Sequence, residues 1–157
     1  MSGAHDAGES DHAWAVRASR IGPIESRVYT RNHSFAVGAQ ASLRDSDAHP
    51  SAIEYMLGAL GSDLLRGFET QAARRQITVH AGEISLQGRL DNVLTHLGVI
   101  GETGHPGLVS VRGTLYVSVD ADESALEEMW QAALERSPLY QTLCRCASME
   151  ICVRAAP

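Results

Sequence analysis

The stretch His49-Pro-Ser-Ala-Ile-Glu-Tyr-Met-Leu-Gly-Ala-Leu-Gly-Ser-Asp63 decides the fold of this 157-residue chain. Ser51 is the predicted N-cap of a helix, and Glu54, three residues later, completes a capping box. Apolar residues then recur at helical spacing for about five turns, at Ile53, Met56, Leu57, Leu60, Leu64, Leu65 and Phe68. The pattern predicts a long helix over 51–75, and its wide apolar face predicts a central position in the fold.

Strand patterns lie on both sides of this helix. Extended segments bounded by turn residues are predicted over 14–19, 24–30 and 33–38 before the helix, and over 77–81, 83–87, 109–119 and 149–154 after it. A second helix is predicted to start at Asp122 or Ser124, with Ser124 and Glu127 as another capping box. Pro138 is predicted to end that helix. This order of elements predicts an α+β fold.

Size and composition favour one globular domain. The chain is long enough to bury a core without disulfides, and 44% of its residues are hydrophobic. Residues 1–12 are polar and lack the apolar core of a signal peptide, so we expect a disordered tail before a single domain over 13–157. No apolar run reaches about 18 residues, the length of a membrane span. We therefore expect no membrane partner and a cytoplasmic location.

The charged residues exclude several classes of function. A net charge of −6 argues against nucleic acid as a partner, because phosphates require clustered cations. All 13 basic residues are arginines. The sequence therefore excludes a Schiff-base lysine, a phosphate-binding-loop lysine and a lysine general base.

A second informative stretch, Ser137-Pro-Leu-Tyr140, lies far downstream of the helix. Together with the helix pattern P-x-x-x-E-x-x-L-x-A-L-G-S, it resembles the two signature regions of the OsmC/Ohr family. These small bacterial proteins are best known as cysteine-dependent peroxidases for organic hydroperoxides. The resemblance covers residues 25–153. It implies an OsmC-like fold, with antiparallel sheets around a long central helix, in an intertwined homodimer with two sites at the subunit interface.

Both family cysteines are replaced in this sequence. The first region of the family typically reads ALGSC, and the second cysteine precedes the proline of the later stretch; the matching residues here are Asp63 and Ser137. A carboxylate is a poor nucleophile toward peroxide and has no sulfenic acid state, and serine forms no disulfide. The peroxidase branch also has a glutamate ten residues before the first cysteine, a position that is Ile53 here. The chain therefore resembles the less characterised, non-Ohr branch.

Two interpretations are open for Asp63, and two for Glu54. Asp63 is either an exposed helix residue paired with Arg66, or a pocket carboxylate that requires a cation. Arg31 is the candidate cation, because the family's active-site arginine also comes from the early strands. Glu54 lies nine residues before Asp63, which puts the two on opposite faces of a straight helix. Glu54 is therefore either a capping-box residue alone or a ligand-binding side chain.

The cysteines that are present lie near the C-terminus. Cys144 and Cys146 flank Arg145, whose charge favours a thiolate, and they are candidate catalytic residues. If the segment is helical, Cys144 lies two turns after Ser137 and approaches the same pocket. Cys152 alternates with apolar neighbours in a strand, and we expect it to be inert. The histidines show no metal-ligand spacing, so we expect neither a metal nor a cofactor.

Three hypotheses of function follow. The leading one is an OsmC/Ohr-family dimer that has lost the cysteine peroxidase site and binds an unknown small molecule or acts in a stress response. The second is a thiol-dependent hydroperoxide reductase, or a sulfur-handling protein, that uses Cys144 and Cys146. The third is a carboxylate-based enzyme in which Asp63 serves as acid or base.

Overall fold

The computed structural model describes residues 13–39 and 48–156. The chain divides into two compact units, Met1–Pro50 and Ser51–Pro157. The tail predicted over 1–12 lies outside the described residues, as does most of the loop that precedes the long helix. That the whole chain forms one domain stays a prediction.

The first unit contains a three-stranded antiparallel sheet. Its strands follow in the order β1 (Arg17–Arg20), β2 (Ser26–Thr30) and β3 (His33–Val37). Thr30 pairs with His33, so the turn between β2 and β3 is tight, and it holds Arg31 in a left-handed conformation with a φ of 49°. The sheet confirms the three early strands that the sequence predicts, although β1 begins later than predicted.

The long helix of the second unit, α1, spans Ala52–Arg74. The predicted capping box is confirmed: the Ser51 side chain accepts from the Glu54 N–H, and the Glu54 carboxylate accepts from the Ser51 N–H at 2.7 Å. The side chains that face the core recur every four residues and are fully buried, at Leu60, Leu64, Phe68 and Ala72. Among the described residues, no helix combines the length and apolar character that crossing a bilayer requires.

The second sheet packs against α1. Its strands follow in the order β4 (Val79–Leu90), β5 (Leu108–Val119) and β6 (Ser148–Ala155). β4 and β5 are antiparallel, but β6 runs parallel to β5, so this sheet is mixed rather than antiparallel throughout as predicted. The parallel pairing follows from the helical connection between β5 and β6, which returns the chain to the same end of the sheet. The two short strands predicted after α1 form one strand with a bulge between Val79 and Ala81.

Three further helices connect these strands: α2 (Val93–His96), α3 (Glu123–Arg136) and α4 (Pro138–Leu143). Asp122 is the N-cap of α3 and accepts from the Ala125 N–H at 2.8 Å. The capping box predicted from Ser124 and Glu127 is therefore wrong, because both residues lie inside the helix. Pro138 ends α3 as predicted, and it also begins α4, which the sequence analysis did not predict.

The core of the second unit lies between α1, α3 and the inner face of the sheet. α3 contributes Leu126, Met129, Trp130, Ala133 and Leu134, and β5 contributes Val111, Leu115 and Val117. Trp130 is 1% exposed, and its indole N–H donates to the Ile151 carbonyl at 3.3 Å. The largest side chain of the core thus has a hydrogen-bond partner for its only polar group, the indole N–H.

One helix glycine allows α1 to approach β4 closely. A Cβ atom on Gly61 would lie 3.1 Å from Ile84 Cγ2, closer than an ordinary van der Waals contact. The backbone of α1 therefore packs closely against β4 at this position. A Cβ atom added to Gly58, one turn earlier, would have no heavy atom within 4 Å other than the helix's own backbone. Gly58 therefore borders open space.

Candidate functional site

Asp63 and Ser137, the two residues that the resemblance matches to the family cysteines, are in direct contact. The Ser137 hydroxyl donates to the Asp63 carboxylate, with an Oγ–Oδ2 distance of 2.5 Å. Such a short distance is typical of a hydroxyl bonded to an ionised carboxylate. Ser137 is 3% exposed and Asp63 is half-buried, so the bond is shielded from bulk water.

The local sequence fixes the orientation of the serine hydroxyl. Ser137 lies between α3 and α4 with an extended backbone, as expected for a residue before proline. Its Oγ accepts from the Tyr140 N–H at 2.9 Å and caps α4. Since the oxygen accepts from Tyr140, the hydroxyl proton is left for Asp63. The Ser-Pro pair could have predicted α4, because proline is favoured directly after an N-cap.

The surroundings of Asp63 test one of its two interpretations, the pairing with Arg66. Arg66 forms an ion pair with Glu69, so the predicted pairing of Arg66 with Asp63 is not formed. Within Ser51–Ala156, no arginine is ion-paired with Asp63. Arg31 lies in the first unit, at the exposed turn between β2 and β3, and its pairing with Asp63 stays a prediction.

A cleft of about 280 Å³ lies between α1 and β4. Its walls are mainly apolar or small, and they consist of Glu54, Leu57, Gly58, Gly61, Ser62, Ile84 and Leu86. Glu54 takes part in the capping box, and its Oε2 also accepts from the Ser51 hydroxyl at 2.8 Å. Because nine residues correspond to about half a rotation around the helix axis, the cleft and Asp63 lie on opposite sides of α1. Sequence reasoning missed this cleft, since it depends on the packing of β4 against the helix.

The three cysteines lie at the end of α4, just after it, and in β6. Cys144, Cys146 and Cys152 are all free and exposed. Cys144 Sγ donates to the Gln141 carbonyl at 3.5 Å, and Cys146 Sγ donates to the Leu143 carbonyl at 3.3 Å. Among the described residues, no hydrogen bond joins either thiol to the pair. Cys152 lies on the outer, exposed face of β6, 3.4 Å from Thr114 Oγ1.

Solved structures with the same fold are numerous. The OsmC-like protein of Mycoplasma pneumoniae is similar with a TM-score of 0.79 and 14% identity, over 94% of this chain and 99% of that one. An organic hydroperoxide resistance protein OsmC from Legionella pneumophila has a TM-score of 0.68 and 10% identity, over 92% and 98%. The organic hydroperoxide resistance protein OhrB of Bacillus subtilis has a TM-score of 0.62 and 16% identity, over 90% and 98%.

Sequence comparison gives the family as well as the fold. A search of curated proteins finds no match to the chain. The sequence model of the family described as OsmC-like protein matches residues 44–151, which include the long helix, most of the second sheet and both members of the Asp63–Ser137 pair. The α+β fold and this match agree with the resemblance drawn from the two sequence stretches, and the chain belongs to the OsmC-like protein family.

Proposed function

We propose that this protein does not reduce hydroperoxides by the two-cysteine chemistry that the family resemblance implies, and that it binds a small molecule instead. The observation that carries the first part is the hydrogen bond between Ser137 Oγ and Asp63 Oδ2. A thiol peroxidase needs a thiolate that becomes a sulfenic acid and a second thiol that resolves it. A carboxylate and a hydroxyl supply neither step.

In this proposal, the Asp63–Ser137 bond serves as a structural link. It joins α1 to the junction of α3 and α4, the same two places that a disulfide between the family cysteines would join. Ser137 is a poor candidate nucleophile, because its side chain is buried and its oxygen already accepts from Tyr140. No histidine base is bonded to it among the described residues.

The cleft beside Glu54 supports the second part of the proposal. Its volume of about 280 Å³ lies just below the usual range for small-molecule sites, which begins at about 300 Å³. Leu57, Ile84 and Leu86 provide apolar walls, and Ser62 provides a hydroxyl at the rim. This lining fits a small, mainly apolar molecule with one polar group.

The first test measures consumption of cumene hydroperoxide with dithiothreitol as the reductant. Wild type and a Cys144→Ser/Cys146→Ser variant should both consume it no faster than buffer. If wild type turns over the hydroperoxide and the double variant does not, the second hypothesis is correct. If both turn it over, the account of a lost peroxidase site is wrong.

The second test measures binding of 2-phenyl-2-propanol by saturation-transfer-difference NMR. Gly58→Leu places a side chain in the cleft and should abolish the signal. The matched control is Ala59→Leu, which adds a similar side chain at an exposed position of the same helix outside the cleft. Equal signals from both variants would show that the molecule binds elsewhere.

The exposed thiols give the second hypothesis one specific support. Cys144 and Cys146 are reachable by a peroxide without any opening of the structure. However, the contacts of both thiols in the described part of the chain are with main-chain carbonyls, and neither is with a cation that would stabilise a thiolate. The hydroperoxide assay above separates this hypothesis from the leading one.

We also propose that the protein is a homodimer. Large apolar side chains lie exposed close together after β4, at Val93 (43%), Leu94 (43%), Leu97 (42%), Val99 (45%) and Ile100 (100%). Exposed apolar patches of this kind are typical of protein–protein interfaces. Sedimentation velocity at micromolar concentration should give a single dimeric species, and a stable monomer would contradict the proposal.

A further inference from the structure

A small polar pocket lies on the outer face of the second sheet, away from both sites described above. It has a volume of about 150 Å³ and is lined by Gln87, Gly88, Arg89, Ser110 and Arg112. The register of β4 and β5 pairs Gln87 with Arg112 and Arg89 with Ser110. These four side chains therefore stand next to one another on the same face of the sheet.

Two groups in this pocket have no partner within the described part of the chain. Ser110 is 8% exposed, and its hydroxyl forms no hydrogen bond with another described residue. The Arg89 guanidinium forms neither an ion pair nor a hydrogen bond there. Thr95 Oγ1 is the only fully buried side-chain polar atom without a partner among the described residues. The Ser110 oxygen therefore keeps some contact with solvent, and water or a ligand can reach it. The pocket thus offers unused donors.

The second arginine of the pocket is held in place by a neighbour. Arg112 Nε lies 3.0 Å from Glu150 Oε2, and its Nη2 donates to Glu150 Oε1 at 3.3 Å. This bidentate contact orients the guanidinium and leaves its remaining N–H groups free for another acceptor. Glu150 offsets one of the two positive charges, so one net positive charge remains at the pocket of a protein with a net charge of −6.

We propose that this pocket binds a phosphoryl group, either as free phosphate or at the end of a small metabolite. Two guanidinium groups, a hydroxyl and the Gln87 amide supply donors from several directions, which suits a tetrahedral anion with several acceptor oxygens. The volume equals that of about five water molecules in the liquid. It therefore admits one phosphoryl group and leaves the rest of a larger ligand outside.

The test is isothermal titration with inorganic phosphate in a phosphate-free buffer at constant ionic strength. Wild type should bind phosphate saturably, with a dissociation constant below about 10 mM. Arg89→Gln should weaken binding about tenfold or more, because it removes a charged donor. The matched control is Arg154→Gln, which carries the same change on the same face of the sheet but outside the pocket. It should leave the affinity unchanged.

Two further measurements complete the test. Ser110→Ala removes only the hydroxyl and should also weaken phosphate binding. Its thermal unfolding midpoint should stay near that of wild type, which shows that the variant is folded. Glycerol 3-phosphate in place of phosphate distinguishes the two sources: tighter binding identifies a metabolite end, and equal or weaker binding identifies free phosphate. Absence of saturable binding of both compounds, or an equal loss of affinity in Arg154→Gln, would overturn the proposal.

Discussion

Ser137 and Asp63 lie 74 residues apart in the sequence, and a 2.5 Å hydrogen bond joins them. The bond ties the middle of α1 to the end of α3 and the start of α4. Ser137 is the centre of this arrangement, since its oxygen accepts a hydrogen bond from the Tyr140 N–H and its hydroxyl donates one to Asp63. The hydrogen bond thus connects the two positions that the resemblance matches to the family cysteines.

The first prediction is that this bond contributes measurably to stability. Ser137→Ala and Asp63→Ala should each lower the free energy of unfolding, and the double variant should lose about 1–2 kcal/mol less than the sum of the two. The reason is that either single change already breaks the bond. Urea unfolding measures all three values.

A control separates the effect of losing the hydrogen bond from the general effect of a substitution on α1. Ser62→Ala, at the exposed neighbour of Asp63, should change the free energy of unfolding by less than about 0.5 kcal/mol. Strictly additive losses in Ser137→Ala and Asp63→Ala would mean that the two side chains do not interact in solution.

The second prediction concerns restoration of the family thiols. Asp63→Cys should fold, because cysteine tolerates burial better than an ionised carboxylate. Without a resolving thiol, it should accumulate sulfenic or sulfinic acid after one turnover with cumene hydroperoxide. Adding Ser137→Cys should allow a disulfide and partial recycling by dithiothreitol. Mass spectrometry of the intact protein distinguishes these products.

A matched background is needed for this experiment, because the natural thiols are exposed. The two variants should be prepared with Cys144, Cys146 and Cys152 replaced by serine, so that every oxidised sulfur comes from an introduced residue. If Asp63→Cys alone recycles as fast as the pair, the need for a second thiol at position 137 is refuted.

The sequence predicts the elements whose signals are local. The bounds predicted for α1 differ from the observed ones by a single residue at each end, because Ser51 and Glu54 cap it and its apolar positions repeat regularly. The same periodicity predicts that Glu54 and Asp63 point to opposite sides of the helix. This is confirmed by the cleft, which Glu54 lines and Asp63 does not.

The features that the sequence analysis missed depend on partners distant in sequence. β4 is one strand rather than two, because its pairing with β5 continues past Gly82 despite the weak strand preference of glycine. The exception is the short helix α4, which has too few residues for a periodic pattern and whose local signal is the Ser137-Pro138 pair. The bond between Asp63 and Ser137 has no local signal, and only the family resemblance sets the two positions side by side.

The third prediction is that all three natural cysteines react readily with iodoacetamide in the folded protein. Each thiol is exposed, including Cys152, which the sequence alone suggested to be inert. Peptide mass spectrometry after brief labelling should find every site modified without denaturant. Protection of Cys152 alone would show that the outer face of β6 is covered in solution.

The fourth prediction compares two glycines of α1. Gly58→Ala should raise the free energy of unfolding by about 1 kcal/mol, because alanine favours the helix and nothing lies within 4 Å of the new methyl group. Gly61→Ala has the same helix preference, but its methyl group would lie 3.1 Å from Ile84 Cγ2, so the Ile84 side chain must move to make room. The free energy of unfolding should therefore rise less than in Gly58→Ala, or fall. Urea unfolding of the two variants side by side measures the difference. If Gly61→Ala is as stabilising as Gly58→Ala, the close approach of α1 to β4 is not a constraint on the fold.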